Sequence, residues 1–171
     1  SILSNTCNIR LRKATTIKTG QETGYTSVFG NALYNPNDGY NAAGGGITQT
    51  TGFYTQGDAV NIHYFDDDGK GNLRRFYLSS GARVYLDSTA GTVDYPNGKV
   101  TINAINITST VNTDSTIDFT VIPAGNDVVA TLGNLVDIDP SDVSVTGEVD
   151  TIASGESSAG VGYKSTSTSS Y

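Results

Sequence analysis

From residue 53 onward, apolar and polar side chains alternate at a period of two, the pattern of half-buried β-strands. Val60, Ile62 and Tyr64 alternate with Asn61, His63 and Phe65. Leu73, Arg75 and Tyr77 alternate with Arg74, Phe76 and Leu78, and Val84 and Leu86 are set against Arg83 and Tyr85. The stretch GTVDYPNGKVTINAINI reads as two strands about a turn at Pro96, Asn97 and Gly98, with Asp94 and Lys99 placed to pair across it. Further strands are expected over 117–122, 135–138 and 143–149, and a single short helix over 127–135.

The first residues alternate too. Ile9 and Leu11 fall on one face and Asn8, Arg10 and Arg12 on the other, which predicts an N-terminal arm or edge strand over residues 1–24. Residues 24–52 read mostly as loop. Within them Asn35 to Gly39 form a turn in which Pro36 presets φ, and Gly44 to Gly46 form a flexible insertion. Residues 151–171 are rich in Ser, Thr and Gly with few large apolar side chains, a low-complexity segment that is flexible or orders against a partner. The expected fold is all-β: antiparallel hairpins forming a sandwich or partly open barrel over 25–150, with an extended N-terminal arm and a Ser/Thr-rich C-terminal tail.

Composition agrees. Helix formers are scarce, whereas Gly, Ser, Thr, Asn, Asp, Val and Ile abound across the 171 residues. The length suits one domain, or one with an appendage. No apolar run approaches the roughly 20 residues of a membrane-spanning helix. The chain opens on Ser1 without Met, as a piece of a longer protein would.

Charge is unevenly placed. The net charge is -7, yet residues 1–20 hold Arg10, Arg12, Lys13 and Lys18 and no acid. An acidic body is a poor partner for nucleic-acid phosphate. The basic arm lacks an aromatic to stack on bases and matches the acidic surface of a neighbouring copy better.

The chemistry-bearing residues are few. Cys7 is the only cysteine and His63 the only histidine, which excludes an internal disulfide and a Cys-based zinc site. Asp66, Asp67, Asp68, Gly69, Lys70, Gly71 and Asn72 sit between two strand patterns. Read as an EF-hand loop from Asp66, the fifth and twelfth positions hold Lys70 and Tyr77 where oxygen ligands are needed. The expected reading is a polar hairpin turn, with Gly69 and Gly71 supplying positive φ and solvated acids. A looser calcium site on Asp66, Asp68 and Asn72 is the alternative. His63 lacks an accompanying Ser or Cys motif and reads as a strand histidine rather than a general base. The glycines at 44–46 lack the Lys-Ser/Thr of a phosphate loop. No catalytic residue, metal or cofactor is expected, and the pattern suits a protein that contacts other subunits rather than an enzyme. Ile9, Arg10, Leu11 and Arg12 are the residues expected at such a contact.

The runs NIHYFDDDGKGNLRRFYL, GTVDYPNGKVTINAINITSTVN and VDIDPSDVSVTGEVDTIASGESSAGVGY, with NIRLRK and FGNALYNPNDGY before them, resemble the C-terminal region of a baseplate wedge protein of contractile-tailed phages, of the baseplate J-like family. The resemblance implies a structural component of the virion tail baseplate, made in the host cytoplasm, which dimerises and joins other wedge subunits in a ring. It carries over no catalytic residue, membrane contact or nucleic-acid contact. A carbohydrate-binding β-sandwich of a tail or cell-surface adhesin is the alternative function, supported by the tyrosine-rich, acidic, loop-rich composition.

Overall fold

The computed structural model describes residues 2–6, 9–35, 46–125, 128, 133–138 and 144–148. Among them lie twelve strands and no helix: β1 (Ile2–Thr6), β2 (Ile9–Thr16), β3 (Glu22–Val28), β4 (Gln49–Thr50), β5 (Phe53–Thr55), β6 (Asp58–Asp67), β7 (Asn72–Ser79), β8 (Ala82–Asp94), β9 (Lys99–Thr110), β10 (Thr116–Val121), β11 (Asn134–Ile138) and β12 (Ser144–Glu148). The chain divides into two compact units, Ser1–Asn8 with Asp139–Tyr171, and Ile9–Ile138. In the first unit β1 and β12 pair antiparallel, Ile2 opposite Glu148 and Thr6 opposite Ser144.

The second unit is built around a closed ring. β6 pairs with β5 and β7, β8 pairs with β7 and β9, and β9 returns to β5, each pair antiparallel. Phe53 closes it, lying opposite His63 on one side and Thr110 on the other. Closure removes the free edges that an open sheet must protect. Outside the ring, β4 lies along β6, β10 along β4, β2 along β10 and β11 along β2, while β3 lies along β9.

One core serves ring and outer strands together. Phe53 stacks on Phe65 with centroids 4.7 Å apart, and Phe65 faces Phe119 of β10 at 6.5 Å. Leu11, Phe29, Leu73, Ile107, Ile117 and Val121 complete its most buried part. Fully burying one such side chain stabilises by about 1.5–3 kcal/mol. Gly91 sits where β7, β8 and β9 meet, opposite both Leu73 and Ile102. A Cβ there would lie 2.0 Å from the Thr101 carbonyl oxygen, so the close approach requires glycine.

Several expectations change. Residues 9–16 are no edge: β2 is hydrogen-bonded to β10 on one side and β11 on the other. The loop reading of 24–52 misses β3, whose inward side chains Tyr25 and Ser27 carry too little apolar signal. Leu135, placed at the end of a helix, lies in β11, and Gly133 is in a turn; most of 127–132 falls outside the described residues. Pro36 to Gly39, Gly44, Gly45 and 151–171 also lie outside them. The strands expected over 117–122 and 135–138 appear as β10 and β11, and that over 143–149 as β12.

Candidate functional site

Three consecutive aspartates at the end of β6 serve three different purposes, because alternate strand residues face opposite ways and the strand ends among them. Asp68 makes the turn. It accepts hydrogen bonds from Lys70 N (2.8 Å), Asn72 N (3.0 Å) and Asn72 Nδ2 (2.7 Å). Burial opposes its ionisation, but the hydrogen bonds from Asn72 and Lys70 outweigh that and hold its carboxyl below the ordinary value. Gly69 and Gly71 take positive φ, 76° and 97°, as the turn reading requires.

Asp67 points into the core and is fully buried. It accepts from Thr48 N at 2.7 Å and from the Tyr95 hydroxyl at 2.6 Å. Burial first, and then the Asp67 carboxylate, push the Tyr95 phenol well above the ordinary tyrosine range.

Asp66 points to the outer face of the wall formed by β6, β7 and β8, and is 3% exposed. Its carboxylate accepts from Arg74 Nε (2.9 Å), Arg74 Nη2 (3.1 Å), Arg83 Nη1 and the Tyr85 hydroxyl (2.7 Å). Burial works against the Arg83 charge, and Asp66 more than compensates, raising its pKa. Burial, reinforced by Asp66, raises that of Tyr85. The rings join in: Arg74 lies 4.2 Å over Tyr85, Arg83 lies 4.7 Å over Phe76, and Tyr64 stacks on Phe76 at 5.6 Å. Beside this cluster opens a cavity of about 200 Å³ that Gln49, Thr50, Tyr64, Asp66, Phe76 and Arg83 help to line.

The expectation of solvated acids is therefore corrected. The bend is a hairpin turn, but Asp66 and Asp67 are buried and bonded, because the register brings arginines and a tyrosine to the one and places the other in the core. Arg74 and its place opposite Asp66 were legible: folding the chain about residue 70 pairs them directly. Arg83, Tyr85, Tyr95 and Thr48 come from other hairpins, and no local pattern in the sequence marks them. Among the described residues, no three or more His, Cys, Asp or Glu side chains are grouped to hold a metal ion.

His63 is 1% exposed. Arg75 Nη1 stands 2.9 Å from Nδ1, and Asp58 Oδ2 stands 2.9 Å from Nε2. A guanidinium only donates, so Nδ1 accepts and Nε2 carries the hydrogen given to Asp58. Thr55 Oγ1 lies 3.4 Å from the same Nδ1, which lines up a hydroxyl, an imidazole and a carboxylate. This is not a nucleophile relay: Thr55 is buried, and the nitrogen that would take its proton already accepts from Arg75. The Asn61 backbone N–H first, and then His63, the Asn61 side chain and the Val60 N–H, hold the Asp58 carboxyl well below the ordinary value.

The remaining residues singled out in the sequence lie elsewhere. Pro96, Asn97 and Gly98 form the β8–β9 turn with Gly98 at φ 62°; Asp94 lies opposite Lys99 as expected, with its carboxylate accepting from Asn97 N and Nδ2. Of Ile9 to Arg12, Leu11 is fully buried and Arg10 lies opposite Asp137 of the same chain. A search of protein-family models, of curated proteins and of solved structures finds no match to this chain.

Proposed function

We propose that this chain is a structural component of a phage tail baseplate that works by contact with neighbouring subunits. One observation supports the reading most. The ionisable side chains at the aspartate bend and around His63 are engaged by hydrogen bonds, while Val60, Leu78, Leu86, Leu135 and Val136 are between 45% and 86% exposed on strands. Strands whose charges are bonded to one another and that turn large apolar groups outward suit association rather than turnover. The resemblance to baseplate wedge proteins gives that association its setting.

Immunogold electron microscopy tests the proposal. An antibody against the chain should mark the end of the tail on contractile-tailed particles from the same source. Label on the capsid, or intact tails without label, would overturn it.

A further inference from the structure

We infer that the cavity beside Asp66 is a binding site for an acidic sugar unit, a pyranose that carries a carboxylate. The inference goes beyond the baseplate reading and does not depend on it. The cavity lies on the outer face of the β6–β7–β8 wall and has a volume of about 200 Å³, room for one ring rather than for a peptide.

Its wall is aromatic. Tyr64 stacks on Phe76, and Arg83 lies over the Phe76 ring, so the partly exposed Tyr64 ring is fixed before a ligand arrives. A flat C–H face, such as a pyranose presents, packs on such a surface. Its rim is polar in the way a hydroxylated ring needs. The Gln49 side chain makes no hydrogen bond among the described residues, and its amide offers both a donor and an acceptor. The Thr50 hydroxyl accepts from Phe65 N at 2.9 Å and keeps its own hydrogen to donate.

The charge selects the acid. Arg74 and Arg83 share the carboxylate of Asp66, and Asp68 lies within Coulomb reach of Arg74, so the guanidinium of Arg83 is the one left to meet an anion. Arg83 spends Nη1 on Asp66, and its side chain remains 45% exposed at the rim. Its other N–H groups suit the paired oxygens of a carboxylate. Asp66 is buried and held by four donors, so the arginine is positioned without loss of freedom on binding. A neutral sugar would leave those N–H groups of Arg83 to water.

Titration of the full chain with glucuronic acid, galacturonic acid, N-acetylneuraminic acid and, as the neutral control, glucose tests this by ligand-observed NMR. At least one acid should saturate with a Kd on the order of 1 mM, and glucose should bind at least tenfold more weakly. Gln49→Ala, at an exposed position with nothing to lose in the fold, should weaken the acid by roughly 3–10-fold with an unchanged melting temperature. Arg83→Gln should abolish the preference for acid over glucose. Equal binding of acid and glucose, absence of saturation, or full affinity in Gln49→Ala would each overturn the site. The immunogold result stands apart: tails labelled without sugar binding would sink this inference and leave the baseplate reading intact.

Discussion

At the residue scale, the molecule places charge in its interior and bonds it there. Tyr95 and Asp67 form such a pair, and Tyr95→Phe leaves one carboxylate oxygen in the core without its donor. A loss of about 1–3 kcal/mol in urea unfolding is expected. The pair also fixes the alkaline behaviour. The Tyr95 and Tyr85 pKa values are raised in the folded state, so above about pH 10 the unfolded chain releases protons that the folded chain retains. Stability is full below that pH and declines above it, and the decline should be shallower in Tyr95→Phe. Asp68 and Asp58 act in the opposite sense, since their carboxyls are lowered. Their contribution is full above about pH 4 and is lost as the pH falls further, so Asp68→Asn should flatten the acid limb of a plot of urea midpoint against pH. At His63 the two neighbours dictate one tautomer. Nitrogen-15 spectra of the ring should place the hydrogen on Nε2, and Arg75→Leu should relax that preference.

At the scale of the element, the period of two was readable, but which face turned inward was not. In β6 the sequence offers Val60, Ile62 and Tyr64 as the apolar set, yet Val60 is 86% exposed and the set facing the core is His63, Phe65 and Asp67. The inversion has a physical cause. Asp67 and His63 are acceptable inside because Tyr95, Thr48, Arg75 and Asp58 satisfy them, and those partners lie up to 28 residues away. Composition and turn chemistry were sufficient for the hairpins about residues 70 and 97, where the pairing is local. They were insufficient for β3, whose buried Ser27 bonds Thr15 across strands that are not paired with each other. The candidate site divides the same way: Asp66 and Arg74 share a hairpin and follow from it, whereas Arg83 and Gln49 arrive from separate elements. Asp66→Asn should cost about 1–3 kcal/mol, because two arginines, each partly open to water, lose their shared carboxylate. Gly91→Ala should cost a similar 1–3 kcal/mol by forcing β8 away from Thr101. Thermal unfolding of the two variants measures both.

At the scale of the molecule, ring closure dominates. Four of its five pairings join consecutive strands, and the fifth, which closes it, pairs Phe53 with Thr110, far apart in sequence. That closing pair, and the pairing of β2 with β10 and of β3 with β9, order long stretches of chain before their contacts form, so stopped-flow refolding should proceed in milliseconds to seconds rather than microseconds.

The closing pair has one more consequence. The chain enters the ring along β4 and leaves it along β10, and those two strands run side by side, Thr50 opposite Phe119. Residues 53–110 are thus a cassette whose doorway serves both directions. Its ends are adjacent, yet Phe65 leans on Phe119 and Asp67 takes a hydrogen bond from Thr48, so the cassette travels intact only in company with β4 and β10.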